Sequence, residues 1–370
     1  MIIGVDGNEA NVKERVGVSV YTLKLLEYFK RSSDKNTQFI IYLRENPKKD
    51  LPAENRYFKY KIIKGTHFWI QFFLPLHLFF NRDINVYFAP AHYTPSFCPV
   101  PIVVTIHDLA YYYYPNEFLK KDLYKLQNWT KASVTKAKQI IAVSKTTKKD
   151  LHKFYKLNDD KVRVIYNGYE KKQSLPTLKN KAELSITNKP FLLYVGTLQP
   201  RKNVLTLIKA FDVVKKIIPD LELIIAGKKG WLFDEIFKLV EEMGLEDCVY
   251  FTGFVTDQQL AYLYQNARCL VLPSLYEGFG LPVFEAMSFG CPVVSSFTAS
   301  LLEVGGDACL YFDPQNTDDL VEKIQQLLNN QQQRSELIQK GKLRIREFSW
   351  NRCGAQTLET IKNAYQNNPQ

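Results

Sequence analysis

The sequence predicts an α/β protein made of two doubly wound, Rossmann-like halves that enclose a cleft. Its 370 residues are too many for one ordinary hydrophobic core. In both halves, short apolar runs of strand length alternate with amphipathic helical stretches, which favours parallel sheets. Between the halves, residues 170–190 are polar, rich in Lys, Ser and Thr, and aperiodic, so we place the domain boundary there.

Each half contains its own predicted elements. Strands are predicted at residues 1–5, 37–43, 86–89, 102–106, 139–143 and 162–166, and again at 191–195, 221–226, 249–252, 269–272 and 292–295. Helices are predicted after Gly17 and at residues 120–138, 144–156 (with Ser144 or Thr147 as the cap), 204–218, 256–266, 282–289, 318–348 and 350–365. The resulting domains are residues 1–180 and 181–348. The last helix, within 349–370, covers the second domain or crosses back to the first.

Composition and charge limit the class of protein. Hydrophobic residues make up 46% and charged residues 24%, as in globular proteins. The formal charge of +11 suits nucleic acid, an anionic membrane surface or a phosphorylated substrate. No zinc-finger spacing or other nucleic-acid motif is present, so nucleic acid is the least favoured partner.

The cysteines and the chain start indicate a cytoplasmic protein. None of the six cysteines forms a C-x-x-C pair, and most have apolar neighbours, which is typical of buried, reduced thiols. The first residues, MIIGVD, are typical of a strand rather than a signal peptide. No apolar run reaches the ~18 residues that a membrane span requires.

The most apolar stretch is residues 68–80 (FWIQFFLPLHLFF), for which two interpretations stay open. It packs in the core, or part of it forms an exposed aromatic face that dips into a membrane. Lys59, Lys61 and Lys64 lie close by in the sequence and suit an anionic surface.

A loop and short helix at residues 273–287 (PSLYEGFGLPVFEAM) form the main candidate site. The segment follows a buried strand, so it lies at a carboxyl end of the predicted sheet, where ligands bind in such folds. Its glycines allow backbone N–H groups to approach a ligand, and the helix N-terminus favours an anion. Pro282 is predicted at the first helical position and Gly290 just past the end. Glu277 in the loop is either a ligand-binding carboxylate or merely a solvated loop residue. Glu285 in the first helical turn is either a ligand-binding carboxylate or merely favours the helix dipole.

A second candidate loop begins at Gly196, where another predicted strand ends. Arg201 offers a planar fork for phosphate oxygens and Lys202 a point charge, although a solvated basic turn would look the same. His107, at a strand end and followed by Asp, is a further candidate, and Gly17 is a weaker one. Ser300 caps a helical turn that two glycines end, which is a structural alternative to a role in the site.

Metal and classical dinucleotide sites are disfavoured. The sequence has no Asp-x-Asp, no His pair at ligand spacing, no P-loop and no G-x-G-x-x-G. A site that binds a diphosphate without metal would neutralise it with Arg201, Lys202 and helix N-termini.

Together, these motifs resemble those of the retaining glycosyltransferases of family 4 (glycosyl transferases group 1), which have the GT-B fold. The family's E-x7-E motif is similar to residues 277–285, and its G-T-x-x-x-R-K-N segment to residues 196–203. Further likeness is found in residues 300–308 (SLLEVGGDA), and in TIHD, IAVS, VIYNG, FWIQ and GKKGW, the last two typical of a mannosyltransferase-like branch. The N-terminal loop departs from the family, since many relatives have two glycines where this chain has Gly17-Val18-Ser19.

The resemblance implies a role for each matching position. Glu277 would hold hydroxyls of the donor sugar and Glu285 those of the ribose, while Arg201 and Lys202 would hold the diphosphate. His107 would face the donor sugar or the reaction centre. The backbone would approach sugar or phosphate at Gly17, Gly196, Gly278, Phe279, Gly280 and Leu281.

The resemblance also implies a function. The chain would move a hexose from a nucleotide-diphosphate sugar, GDP-mannose before a UDP-hexose, to a hydroxyl of a glycan or lipid-linked glycan, with no metal. The acceptor would bind the first domain and the nucleotide sugar the second, with peripheral contact at the inner membrane face. Retention would come from front-side transfer or from double displacement. A sugar-nucleotide epimerase and a non-catalytic sugar-nucleotide-binding subunit remain as alternatives.

Overall fold

The computed structural model describes residues 1–170 and 189–366, which divide into two compact units. Residues 1–113, 120–168 and 348–366 form the first unit. Residues 114–119, 169–170 and 189–347 form the second. Most of the predicted linker, residues 171–188, lies outside the described residues, as does the predicted boundary at residue 180.

The first unit is built on a seven-stranded parallel sheet. Its strand order shows where the winding reverses, which is where ligands bind in open α/β sheets. The order is β3-β2-β1-β4-β5-β6-β7, so the chain reverses its direction of winding between β1 and β4. All the strand pairs are parallel, as the apolar runs predict. The strands are β1 (Ile2–Asp6), β2 (Gln38–Leu43), β3 (Phe58–Ile62), β4 (Val86–Ala89), β5 (Ile102–Ile106), β6 (Gln139–Ala142) and β7 (Val162–Val164).

The second unit repeats this plan with six parallel strands in the order β10-β9-β8-β11-β12-β13. Here the winding reverses between β8 and β11. These two strands are hydrogen-bonded neighbours, with Cys269 opposite Leu192. The strands are β8 (Phe191–Val195), β9 (Glu222–Ala226), β10 (Val249–Gly253), β11 (Cys269–Leu272), β12 (Val293–Ser296) and β13 (Cys309–Phe312). The predicted α/β class with two doubly wound units is therefore confirmed.

Helices cover the faces of both sheets. They are α1 (Val18–Arg31), α2 (Leu74–Phe80), α3 (Ala110–Tyr113), α4 (Lys120–Lys136), α5 (Lys145–Tyr155), α6 (Val204–Ile217), α7 (Asp234–Glu242), α8 (Asp257–Asn266), α9 (Leu281–Ser288), α10 (Leu301–Gly305), α11 (Thr317–Asn329), α12 (Gln331–Arg344) and α13 (Trp350–Gln366). Ser144 caps α5, since its side chain accepts a hydrogen bond from the backbone N–H of Thr147.

The segment predicted to be helical, residues 318–348, is helical but is divided into two α-helices. Asn330 has an extended backbone and ends α11, and its side chain accepts from the N–H of Gln333 to start α12. The amphipathic pattern continues through this break because both helices bury an apolar face, so the pattern alone did not reveal it.

The last helix, α13, belongs to the first unit and packs on α1. Gly354 allows this, because a Cβ there would lie 2.3 Å from Cγ of Tyr28. Cys353, Leu358 and Ile361 are buried on the same helix.

Residues 68–80 have one buried face and one exposed face. Trp69, Leu74 and Leu78 are fully buried, whereas Phe72 is 72% and Phe80 73% exposed. A π-helical turn over Trp69–Phe73 leads into α2. The interpretation of the whole stretch as core is therefore wrong for one of its faces.

Candidate functional site

The candidate site in the second unit is formed by the loops that follow β8 and β11. These strands are neighbours at the point where the winding reverses, so their loops leave the same edge of the sheet side by side. In open α/β sheets, this is the position where ligands bind. The backbone N–H of Leu275 donates to the carbonyl of Arg201 at 2.9 Å, which ties the two loops together.

Glu277 lies at the centre of this site and is surrounded by donors. Its Oε1 accepts from Nζ of Lys202 at 2.5 Å and from the hydroxyl of Ser274 at 2.8 Å. Nη1 of Arg201 lies 3.9 Å from its Oε2. Burial alone would raise the pKa of Glu277, but the charges of Lys202 and Arg201 and these hydrogen bonds lower it overall. The site therefore holds an ionised carboxylate beside two cations.

Arg201 is anchored at one end of its guanidinium and unpaired at another atom. Nη1 donates to the carbonyl of Tyr276 at 3.1 Å. Nε is buried and has no hydrogen-bond partner among residues 1–170 and 189–366. A buried donor of this kind normally has an acceptor. An anion such as a phosphate would supply one.

The residues from Gly278 to Leu281 present backbone rather than side chains. Gly278 and Gly280 are buried, and the ring of Phe279 is only 5% exposed and packs against Phe284. Gly280 has a φ of +99°, and a Cβ there would lie 2.6 Å from Cδ2 of Leu301. Glycine is therefore required both for the conformation and for the space.

Two details of this segment differ from the sequence predictions. Helix α9 begins at Leu281, so Pro282 occupies its second position rather than its first. Ser300 does not cap α10 with its side chain; its hydroxyl donates to the carbonyl of Glu277 at 2.8 Å. Ser300 therefore supports the site loop. Gly290 follows α9 with a φ of +73°, as predicted.

Glu285 lies in the second turn of α9, so its predicted position in the first turn is wrong, and it is placed less well to favour the helix dipole. Its Oε2 accepts from the hydroxyl of Tyr264 at 2.9 Å. Tyr264 is fully buried and stacks on Phe289, which fixes the position of its hydroxyl. The hydroxyl of a buried tyrosine therefore holds one oxygen of Glu285.

Gly196 ends β8 in a position where two backbones nearly touch. A Cβ at Gly227 would lie 2.0 Å from the carbonyl oxygen of Gly196, and Gly227 has a φ of +155°. At Gly196 itself, a Cβ would lie 2.8 Å from the hydroxyl of Tyr194. The two glycines therefore allow the loops after β8 and β9 to leave the sheet together.

His107 follows β5 in the first unit and is held on several sides. Its Nε2 lies 2.8 Å from the carbonyl oxygen of Pro90, and its backbone N–H donates to Nε2 of His92. Tyr21 packs edge-on against the ring at 4.8 Å. Burial, followed by the neighbouring His92, lowers the pKa of His107 to about 4. The imidazole is therefore neutral near pH 7.

Gly17 also belongs to the first unit, where it precedes α1. Its φ is +48°, and a Cβ there would meet no atom within 4 Å. The residue is exposed, so the requirement for glycine comes from the backbone conformation rather than from crowding.

Nine of the eleven residues predicted for the site thus lie on the second unit, and His107 and Gly17 lie on the first. Three residues that hold the site were not predicted from the sequence. Ser274 and Tyr264 fix the two glutamates. The side chain of Asn203 donates to the carbonyls of Pro273 and Pro314. Asn203 has a φ of +56°, a conformation in which Asn is enriched among non-glycine residues. Ser274 lies two residues after the end of β11, a position that could have identified it, whereas the sequence around Tyr264 carries no such signal.

In residues 1–170 and 189–366, no group of three or more His, Cys, Asp or Glu side chains is placed to hold a metal ion. None of the helices described is both long and apolar enough to cross a bilayer.

Comparisons with known proteins identify the family. The family model "Glycosyl transferases group 1" matches residues 177–344, and the model "Glycosyltransferase Family 4" matches residues 16–173. An O-antigen chain mannosyltransferase B of Escherichia coli is 32% identical over 285 residues, which cover 75% of this chain and 74% of that protein. The O-antigen chain mannosyltransferase RfbU of Salmonella typhimurium is 31% identical over 229 residues, covering 60% of this chain and 61% of its own.

Solved structures show the same fold. A sucrose-phosphate synthase from Thermosynechococcus elongatus matches with a TM-score of 0.79 at 21% identity, covering 99% of this chain and 100% of that one. HepE from Anabaena, in complex with UDP and glucose, matches with a TM-score of 0.75 at 18% identity, covering 98% and 99%. With the two doubly wound units and the matching motifs, these findings show that the chain belongs to the family 4 glycosyltransferases and has the GT-B fold of a mannosyltransferase-like member.

Proposed function

We propose that this protein is a retaining, metal-independent hexosyltransferase that moves mannose from GDP-mannose to a hydroxyl of a glycan acceptor. The observation that carries the proposal is the cluster of Glu277, Lys202 and Arg201 at the reversal point of the second sheet. A nucleotide sugar carries a diphosphate next to a sugar ring with several hydroxyls. The two cations of the cluster suit the diphosphate, and its carboxylate suits the sugar hydroxyls.

The two cations would take over the part that a metal plays in other transferases. The departing diphosphate gains negative charge, and Lys202 and Arg201 would stabilise it in the transition state. The buried Nε of Arg201 supports this role, since a phosphate oxygen would complete its hydrogen bonding. Glu277 would hold Lys202 in place until the diphosphate binds.

Front-side transfer fits the environment of Glu277 better than double displacement. A nucleophilic carboxylate must give electron density to the anomeric carbon, whereas this one is occupied by Lys202 and Ser274. In the front-side reaction, the bond from the anomeric carbon to the phosphate oxygen breaks and the bond to the acceptor oxygen forms on the same face. The acceptor's proton passes to the leaving phosphate oxygen, so no enzyme nucleophile is needed.

The donor and acceptor are inferred from the relatives. Both O-antigen relatives are named as mannosyltransferases, which favours GDP-mannose over a UDP-hexose. O-antigen chains are polysaccharides, so we propose a glycan acceptor, lipid-linked, in polysaccharide synthesis. The enzyme would then work in the cytoplasm, in peripheral contact with the inner membrane face.

The test is donor turnover by variants of the central cluster. We expect Arg201→Ala and Glu277→Ala to lose at least 100-fold in nucleotide release from GDP-mannose with acceptor, in line with the loss of one charge-stabilising group. Lys209→Ala and Glu246→Ala remove the same charges from exposed positions of the same unit and should keep wild-type turnover.

The result that contradicts the proposal is wild-type turnover by both cluster variants. Conversion of the donor sugar without any acceptor would instead indicate an epimerase. Nucleotide binding without release, across a panel of acceptors, would indicate a non-catalytic subunit. The anomeric configuration of the product, read by NMR, tests retention.

A further inference from the structure

A surface of exposed aromatic side chains distinguishes the first unit. We call it the aromatic face and define it by the exposed residues of the segment 68–80 with their neighbour Phe97. These are Phe68 (61% exposed), Phe72 (72%), Phe73 (40%), Leu76 (56%), Phe79 (50%), Phe80 (73%) and Phe97 (48%). The ring of Phe79 contacts those of Phe80 and Phe97, at 5.2 and 5.9 Å between centroids. Exposed apolar side chains concentrated in one segment in this way usually mark an interaction site.

The aromatic face is presented by a well-anchored segment. Phe68, Phe72, Leu76 and Phe80 are spaced by four residues and follow one side of the helix. On the opposite side, Trp69 and Leu74 are fully buried, and the indole N–H of Trp69 donates to the carbonyl of Ile63 at 2.6 Å. The exposed rings are therefore held outward by a packed inner face.

Basic residues flank the aromatic face in the sequence. Residues 57–83 contain Lys59, Lys61, Lys64 and Arg82 against a single acidic residue, Asp83, which pairs with Lys61 at 3.5 Å. From α4, Nζ of Lys136 reaches the carbonyl of Ser96, which precedes Phe97. The described residues of the first unit hold 29 lysines and arginines against 15 aspartates and glutamates, a formal charge of +14. Those of the second hold 16 against 22, a formal charge of −6.

We propose that the aromatic face inserts between the headgroups of an anionic lipid bilayer, with the surrounding lysines and arginines on the lipid phosphates. Aromatic side chains flanked by cations match the chemistry of that interface, where apolar and anionic groups lie within a few ångströms. A symmetric second copy fits less well, because self-association through this surface would bring the cations of both copies together. The inference rests on the proposed function in one respect: a lipid-linked acceptor would explain why the protein binds a membrane.

The main test measures binding to vesicles in the absence of donor and acceptor, so its outcome is independent of the transferase assignment. We expect the full-length protein to float with vesicles of phosphatidylcholine and phosphatidylglycerol and to bind pure phosphatidylcholine far less. The double variant Phe72→Ser/Phe80→Ser should lower partitioning roughly tenfold or more, because two inserted rings are lost. Ile217→Ser/Leu343→Ser removes side chains that are 61% and 60% exposed elsewhere, and should bind like wild type.

The cations are tested by their dependence on salt. Lys64→Glu/Arg82→Glu should weaken binding to the anionic vesicles and reduce the loss of binding on adding NaCl, since screening acts on fewer contacts. Lys149→Glu/Lys209→Glu makes the same change in net charge at other exposed positions. Equal effects of the two pairs would overturn the assignment to this surface.

A tryptophan at the face reports insertion directly and guards against a folding defect. The fluorescence of Phe80→Trp should shift to the blue on adding anionic vesicles and be quenched by brominated lipid, whereas Ile217→Trp should show neither effect.

Wild-type binding by Phe72→Ser/Phe80→Ser overturns the proposal. So does a vesicle-free dimer that this variant dissociates, which would make the face a contact between copies. A monomer that ignores vesicles also overturns it and leaves a protein partner as the occupant.

Discussion

At the scale of single residues, the two glutamates of the E-x7-E motif are bound by different neighbours. Glu277 pairs with Lys202, and Glu285 accepts from the hydroxyl of Tyr264. The sequence spacing predicted the pair of glutamates but not these neighbours, because Lys202 and Tyr264 lie 75 and 21 residues away from their partners. Such partners are set by the order of strands in the sheet, which no local pattern encodes.

His107 gives a prediction about the dependence of stability on pH. The pKa of His107 is about 4 in the folded protein and ordinarily about 6.5, so the unfolded chain binds more protons between these values. Its neutral form therefore stabilises the fold above pH 6.5, and this contribution is lost as pH falls towards 4. Between pH 7 and 4.5, the free energy of unfolding should fall by about 2 kcal/mol more in wild type than in His107→Gln.

Urea titrations of both proteins across this range provide the measurement. The difference between them reports the titration of His107 together with its coupling to His92, whose ring stacks on it at 5.8 Å. Parallel curves would show that His107 titrates normally, and hence that its ring is not buried against Pro90 and Tyr21.

At the scale of elements, strands were predicted well where burial made them continuous apolar runs, as in β5 and β11. Strand β3 was missed because Lys59 and Lys61 alternate with its apolar residues at the edge of the sheet. Residues 68–80 could not be assigned to core or surface from composition, because both of their faces are apolar. Only the packing against the sheet distinguishes the two faces.

The loop before α9 gives a prediction about a single backbone position. Gly280→Ala should cost roughly 1–3 kcal/mol, because the φ of +99° is unfavourable for alanine and its Cβ would meet Leu301. The loop would shift to relieve this contact, so binding of GDP should weaken as well. Thermal melts with and without GDP measure both effects.

Gly244→Ala is the matched control for this variant. Gly244 also has a positive φ, of +63°, but a Cβ there meets no atom within 4 Å and the residue follows α7 outside the site loops. It should lower the melting temperature modestly and leave the shift produced by GDP unchanged. An equal loss of GDP binding in both variants would mean that the loop conformation at Gly280 is not what shapes the site.

At the scale of the whole molecule, the chain leaves the first unit and returns to it through α13. The sequence predicted this last helix but left its partner open, since an amphipathic pattern shows that a face is buried and not against what. This helix packs on α1 because Gly354 has no side chain and leaves room for the ring of Tyr28. The charge is also divided by unit, with +14 on the first and −6 on the described part of the second.

This arrangement predicts that α13 stabilises the first unit without forming the donor site. In Gly354→Leu, the new Cβ would lie 2.3 Å from the base of the Tyr28 ring, which cannot swing away without moving α1. Overpacking of this kind costs about 1–3 kcal/mol. Ala355→Leu adds the same bulk one residue later at an exposed position and should be nearly neutral. Because the two units have separate cores, we expect two calorimetric transitions. Gly354→Leu should lower the melting temperature of the first unit, while GDP still raises that of the second. A single transition, lowered equally with and without GDP, would contradict this division.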